Sequence, residues 1–115
     1  MEELIEQVEH WAIDKGIDEA ENWKPQFKKI VEEVAEYKEE LKLSENDTVA
    51  NLMDEMTEMG DILVTLAIMA QQRGYRLSTC LQFAYDKIKD RQGQTINGTF
   101  VKKEDIGKME CSLGG

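Results

Sequence analysis

Apolar positions along this chain recur at intervals of three and four, which is the helical period. Leu4, Val8, Trp11 and Ala12 predict a first helix that Gly16 closes. Pro25 suits the first turn of a second helix, whose apolar stripe is Phe27, Ile30, Val31, Val34 and Leu41. "LSENDT" (43–48) reads as a turn with several candidate N-caps. A third helix is expected from about Thr48 to Arg73, with Gly74 just past its end. Within it, "ILVTLAIMA" (62–70) is apolar almost without interruption. That run is about half of what a membrane span needs, so it predicts a helix segment buried on nearly every side. Ser78 is a candidate cap for a fourth helix carrying Leu81, Ala84, Tyr85 and Ile88 and ending near Arg91.

Beyond Arg91 the period changes. "QTINGTFV" (94–101) places Asn97-Gly98 between two short β-prone runs, a strong hairpin signal. The residues after Lys103 carry no pattern, and 104–115 are expected to form a flexible tail. The expected architecture is all-α: one domain over residues 1–103, resembling a four-helix bundle, with a small C-terminal β-hairpin.

Charge narrows the chemistry. A net charge of -10 on 115 residues argues against direct contact with nucleic acid or an anionic membrane. Phosphate ligands remain open, because a divalent cation can bridge carboxylate and phosphate. Two distant cysteines, Cys80 and Cys111, and the single His10 do not make a zinc site. The opening "MEELIEQVEH" resembles neither a signal peptide nor a basic transit segment, so a reducing cytoplasm is the expected compartment. A chain this short buries only about two-thirds of its unfolded surface. Together with the all-round apolar run, this predicts a homodimer or a dimer of dimers.

Placed at about 100° per residue, the apolar residues of the second helix fall within roughly 80° of one direction. Glu32, Glu33, Glu36 and Glu40 fall on the far side, with Glu33 and Glu36 one turn apart. Taken alone, that is the solvated face of an amphipathic helix. The third helix changes the balance. In "DEMTEMGDILVTL" (54–66), Glu58 and Asp61 repeat the i, i+3 spacing, and Asp61 directly precedes the most apolar run of the chain. Gly60 inside this helix costs about 1 kcal/mol relative to alanine and suggests close approach of a neighbour. Across a short turn the two helices are antiparallel, which brings Glu33, Glu36, Glu58 and Asp61 to one level. Two carboxylates ~5 Å apart repel by roughly 3 kcal/mol at an effective dielectric of 20. Four together call for protons or a cation. Oxygen ligands without histidine or thiolate suit Mg²⁺ or Mn²⁺. A di-iron bundle would need Glu-x-x-His motifs, and neither an EF-hand loop nor a phosphate-binding glycine loop is present.

E-x-x-E on one helix followed by E-x-x-D on the next resembles the MazG-like, all-α nucleoside triphosphate pyrophosphohydrolases. "QFKKIVEEVAEY" (26–37), "EMGDILVTL" (58–66) and "KIKDRQGQTINGTFVK" (87–102) are similar to the flanks of that motif in short phage or bacterial members. The resemblance implies Mg²⁺-dependent cleavage between the α- and β-phosphates, giving nucleoside monophosphate and pyrophosphate. It implies metal ligation by Glu33, Glu36, Glu58 and Asp61, with Glu32 as a helper or water-orienting base. Lys87 and Arg91 match basic positions of the family and are expected on substrate phosphates. Where members often carry an asparagine nearby, this chain reads "YDKIKD" (85–90), so base and sugar preference stay open.

Trp11 and Lys15, one turn apart, are further candidate substrate contacts, Trp11 by stacking on a base. Met53, Met56, Met59 and Met69 read as core packing, His10 as a surface residue and Cys80 as a small buried hydrophobe. Glu39 and Glu40 read as solvating residues. Two other functions fit the same residues. One is a non-catalytic helical module that binds metal or a partner through its acidic face. The other is a pyrophosphohydrolase of a different compound, such as a phosphoribosyl nucleotide.

Overall fold

The computed structural model describes residues 1–43 and 49–107. It is mostly helical, with one small antiparallel sheet. Helix α1 (Glu2–Lys15) ends at Gly16, whose φ of 73° puts it in the left-handed region. There Ile17 N–H donates to Ala12 O at 3.0 Å, closing the last turn from beyond the cap. A short 3₁₀ turn (Ala20–Asn22) leads into α2 (Trp23–Leu43), with Pro25 in its first turn. Helix α3 runs Val49–Gln72 and closes the same way, with Gly74 at φ 85° and Tyr75 N–H donating to Ala70 O. The turn expected at 43–48, from Ser44 onward, lies outside the described residues, as does the tail from 108. Residues 103–107 are helical. No described helix is long and apolar enough to cross a membrane.

The chain divides into two compact units, Met1–Cys80 and a second beginning at Leu81. In the first, α3 is the central element and packs against both α2 and α1. Helix α2 runs antiparallel to α3, since Gln26 meets Thr65 while Glu33 and Glu36 meet Glu58. Glutamine side chains, two of them buried, tie α3 to its neighbours. Gln26 Nε2 donates to Thr65 O at 3.0 Å, Gln71 to Glu9 O at 3.1 Å and Gln72 to Ile17 O at 2.7 Å. Arg76 then pins α1 by ion pairs to Glu2, Glu6 and Glu9 at 3.3, 3.8 and 2.8 Å. Removing Gln26 as Gln26→Ala loses a buried hydrogen bond that bridges α2 and α3. A loss of about 1–2 kcal/mol in urea unfolding is expected, and a loss below a few tenths would contradict that role.

The apolar core is thin. Its buried members are Ile5, Ala12, Ala67, Ile68 and Ala70, and no large side chain among the described residues is fully enclosed. Helix α2 turns the face carrying Gln26 and Glu33 toward α3, about a quarter-turn from its apolar stripe. Phe27, Val31, Val34 and Leu41 are consequently exposed, Phe27 by 58%. On α3 residues 64–72 are buried or half-buried, but Leu52, Met56, Met59 and Leu63 form an exposed stripe, Met56 at 65%. The expectation that Met53, Met56 and Met59 pack in a core is therefore corrected for this chain. The physical reason is that α1 packs on the alanine-rich C-terminal part of α3, while within the first unit no described residue covers the stripe from Leu52 to Leu63. Gly60 is a second correction, since a Cβ built there meets no atom within 4 Å. It lines an apolar groove of about 240 Å³ with Met1, Leu4, Ile5, Val8 and Leu63.

Helix α4 (Leu77–Ile88) begins one residue before Ser78, so that serine lies within its first turn and is not its cap. The helix also ends three residues short of Arg91, which is reached through a turn closed by Arg91 N–H to Ile88 O at 3.0 Å. In the second unit, β1 (Gly93–Ile96) pairs with β2 (Thr99–Lys102). Asn97 and Gly98 both have positive φ, 51° and 79°, the two-residue turn that matches strand twist. Gly93 is required by close approach, because a Cβ there would run into the Val101 carbonyl and the Phe100 ring.

Candidate metal centre

Antiparallel packing of α2 on α3 puts Glu33 and Glu36 opposite Glu58. Ligand oxygens of these three carboxylates lie within 4.8 Å of one another. The three differ in burial: Glu33 is 6% exposed, Glu58 half-buried and Glu36 exposed. One oxygen of Glu33 is held by Lys29 Nζ at 2.9 Å, one turn earlier on α2. The other, Glu33 Oε2, is buried with no hydrogen-bond donor, and so is Glu58 Oε2. Two orphaned anionic oxygens at a helix interface are costly unless a proton or a cation meets them.

The electrostatics carry the same message. A side-chain hydrogen bond with Glu33, reinforced by the charge of Glu33, raises the pKa of Glu36 above its ordinary 4.5; Asp61 adds to the effect. Glu58 is also raised, first by desolvation and then by the charges of Glu36, Asp61, Glu33 and Glu40. Lys29 is raised in turn by its hydrogen bond to Glu33 and by the surrounding carboxylates. Without a metal, Glu36 and Glu58 hold a proton more tightly than free carboxyls do, and Lys29 sets a positive charge against Glu33.

This has a pH consequence. A carboxyl with a raised folded-state pKa binds its proton more tightly folded than unfolded. It therefore stabilises the metal-free fold at low pH, and that contribution is lost as pH rises from about 4.5 through the raised values. In EDTA, the melting temperature of the wild type relative to Glu36→Gln is expected to fall across that window. A flat difference between the two proteins would contradict it. Divalent metal needs the deprotonated site, so its stabilising effect grows in the opposite direction.

Three of the four expected ligands are thus brought together. Asp61 stands outside the 4.8 Å group, but its charge acts on both Glu36 and Glu58. Glu32 is exposed and outside the group, and its charge contributes to raising Lys29. Trp11 is half-exposed in a shallow apolar hollow with Leu4, Val8 and Val64, and Lys15 is exposed in the last turn of α1. Lys87 and Arg91 both line one hollow in the second unit. His10 is exposed and Cys80 half-buried.

Two residues of the centre were not singled out from the sequence. Lys29 carries the helical i, i+4 spacing to Glu33, which was a readable signal. Glu40, read as merely solvating, is half-buried and acts on Glu58, whereas Glu39 is indeed exposed and pairs with Lys42 at 3.1 Å. The donor set of oxygens alone, two of them buried and unsatisfied, fits a hard divalent cation.

Comparison of the chain with models of protein families, with curated proteins and with solved structures finds no match.

Proposed function

We propose that the protein is a Mg²⁺-dependent nucleoside triphosphate pyrophosphohydrolase with a MazG-like helical fold. The observation that carries this reading is the convergence of Glu33, Glu36 and Glu58 from two antiparallel helices, with two buried oxygens lacking donors. The paired E-x-x-E and E-x-x-D spacing and its flanks support it from the sequence. Glu33, Glu36 and Glu58 hold the metal, with Asp61 completing the negative field around it. The metal, Mg²⁺ or Mn²⁺, supplies charge neutralisation of a triphosphate and an acidified water. Lys29 occupies one Glu33 oxygen and holds that carboxylate in place. Glu32, exposed on the same helix, is the candidate to accept the proton of the attacking water. Lys87 and Arg91 contact substrate phosphate, and Trp11 with Lys15 a base or sugar. The products are a nucleoside monophosphate and pyrophosphate.

Assembly belongs to the same proposal. Two isoleucines and three alanines are the buried apolar residues among those described, a poor core for a chain of this length. The exposed stripes on α2 and α3 support a homodimer or a dimer of dimers that buries them. The reaction is tested by incubating purified protein with a panel of ribo- and deoxyribonucleoside triphosphates, with Mg²⁺ and with EDTA. Monophosphate plus pyrophosphate formed only with metal is the expected result. No product from any nucleotide would overturn the assignment of substrate. Metal binding without turnover would favour the non-catalytic module.

A further inference from the structure

The second unit contains a polar hollow of about 350 Å³ that the carboxylate centre does not account for. Its lining is Lys87, Asp90, Arg91, Gln92, Lys102, Lys103 and Glu104. Four cations against two acids make it locally positive in a chain whose net charge is -10. Such a concentration of like charge is not a matter of average composition.

How the cations are left matters more than how many there are. Lys102 reaches Asp105 only at 3.9 Å. Lys87, Arg91 and Lys103 make no side-chain hydrogen bond or ion pair among the described residues. Asp90 and Glu104 line the same hollow without pairing to any of them. Arg91 is only partly exposed and has no ion-pair partner among the described residues. The backbone holds this arrangement in place. Lys103 N–H donates to Gln92 O at 2.8 Å, and Lys102 pairs across the sheet with Gly93, where no side chain fits. The start of β1, directly after the Arg91 turn, is thereby held to the end of β2, and the cations of both segments line one concavity.

The geometry points to a binding site for a diphosphate group in this hollow, formed by Lys87, Arg91, Lys102 and Lys103. A guanidinium binds two phosphate oxygens in parallel, and three ammonium groups supply point charges around the rest. A diphosphate carries enough charge to neutralise the four cations, and the volume accommodates it. The inference deepens the proposed enzyme at Lys87 and Arg91 and rests on that reading for the natural ligand, the phosphate chain of a nucleotide. It adds Lys102 and Lys103, and it requires no metal.

The test is an amide NMR titration of the full chain with inorganic pyrophosphate in EDTA, with orthophosphate as a parallel arm. Saturable shifts at Gln92, Lys102 and Lys103 are expected, with orthophosphate binding more weakly. The double variant Arg91→Gln/Lys103→Gln is expected to bind about tenfold more weakly or worse, its hairpin amides staying dispersed as the check on folding. Glu36→Gln is expected to bind pyrophosphate in EDTA like the wild type, which separates this site from the metal centre. Absence of saturable shifts, or equal affinity in the double variant, would overturn the inference and leave the catalytic assignment standing. Equal affinity for orthophosphate would overturn the diphosphate assignment. Loss of nucleotide turnover in the panel, with pyrophosphate binding retained, would instead remove the enzyme and keep the site.

Discussion

Glu36→Gln is expected to bind Mn²⁺ at least tenfold more weakly and to cut nucleotide turnover about a hundredfold or more, yet to melt higher than the wild type in EDTA. The opposed signs follow from the site. Glu36 shares its field with Glu33, Glu58 and Asp61, and its raised pKa records that its charge is unwelcome in the metal-free fold. A glutamine removes that charge and offers an amide N–H to the Glu33–Glu36 hydrogen bond, where the carboxyl needed a retained proton. The same change deletes one of three converging oxygens. Differential scanning fluorimetry with and without Mn²⁺, beside a product assay, reads all three quantities. A metal at a hundred times its dissociation constant stabilises by about 2.7 kcal/mol, and this gain should be nearly absent in the variant. Unchanged turnover would remove Glu36 from the centre. A melting point lowered in EDTA would mean that the carboxylates are not repelling one another.

The second large effect concerns assembly. Leu52→Glu/Met56→Glu is expected to convert the wild-type oligomer to monomer at micromolar concentration. Both side chains are more than half exposed in the single chain and lie on the stripe that the proposed interface covers. In a two-fold interface each replaced position occurs twice, so four apolar side chains are lost. At about 1 kcal/mol for the exposed part of each, the sum is about 4 kcal/mol, close to a thousandfold in the association constant. Burying glutamates in their place adds further cost. Sedimentation equilibrium of the two proteins decides it. A wild type that is monomeric at tens of micromolar would end the proposal, and an oligomer unaffected by the double change would move the interface elsewhere, with the α2 stripe of Phe27, Val31 and Val34 next in line.

The carboxylate cluster was legible in the sequence to an unusual degree because helix geometry is stiff. An i, i+3 spacing fixes two carboxylates on one face whatever surrounds them, so Glu33 with Glu36 and Glu58 with Asp61 were pairs before any packing was known. A short connection then leaves two helices little choice but to lie antiparallel. What spacing cannot specify is helix rotation. A turn of α3 by a few tens of degrees decides whether Glu58 or Asp61 leads toward α2. In the structure it is Glu58 that joins the 4.8 Å group. The half-burial of Glu40 and its small effect on Glu58 depend in the same way on how α2 is rolled against α3.

The apolar stripes teach the complementary lesson. Periodicity tells which residues share a face and says nothing about what that face meets. Phe27, Val31 and Val34 do share one, yet α2 presents Gln26 and Glu33 to α3 instead. The methionines of α3 were placed in a core by their type, and they are exposed because α1 covers only the alanine-rich half of that helix.

Sequence alone determined the helical period, the glycine-closed ends of α1 and α3, the Asn97-Gly98 hairpin and the carboxylate pairs, because each depends on backbone sterics within a few neighbouring residues. The tertiary structure alone decided which carboxylates converge, which oxygens are left without donors, which apolar stripes stay open and that four cations gather around one hollow. Those are distances between segments far apart in the chain, and they depend on helix rotation and strand register, which no local preference encodes.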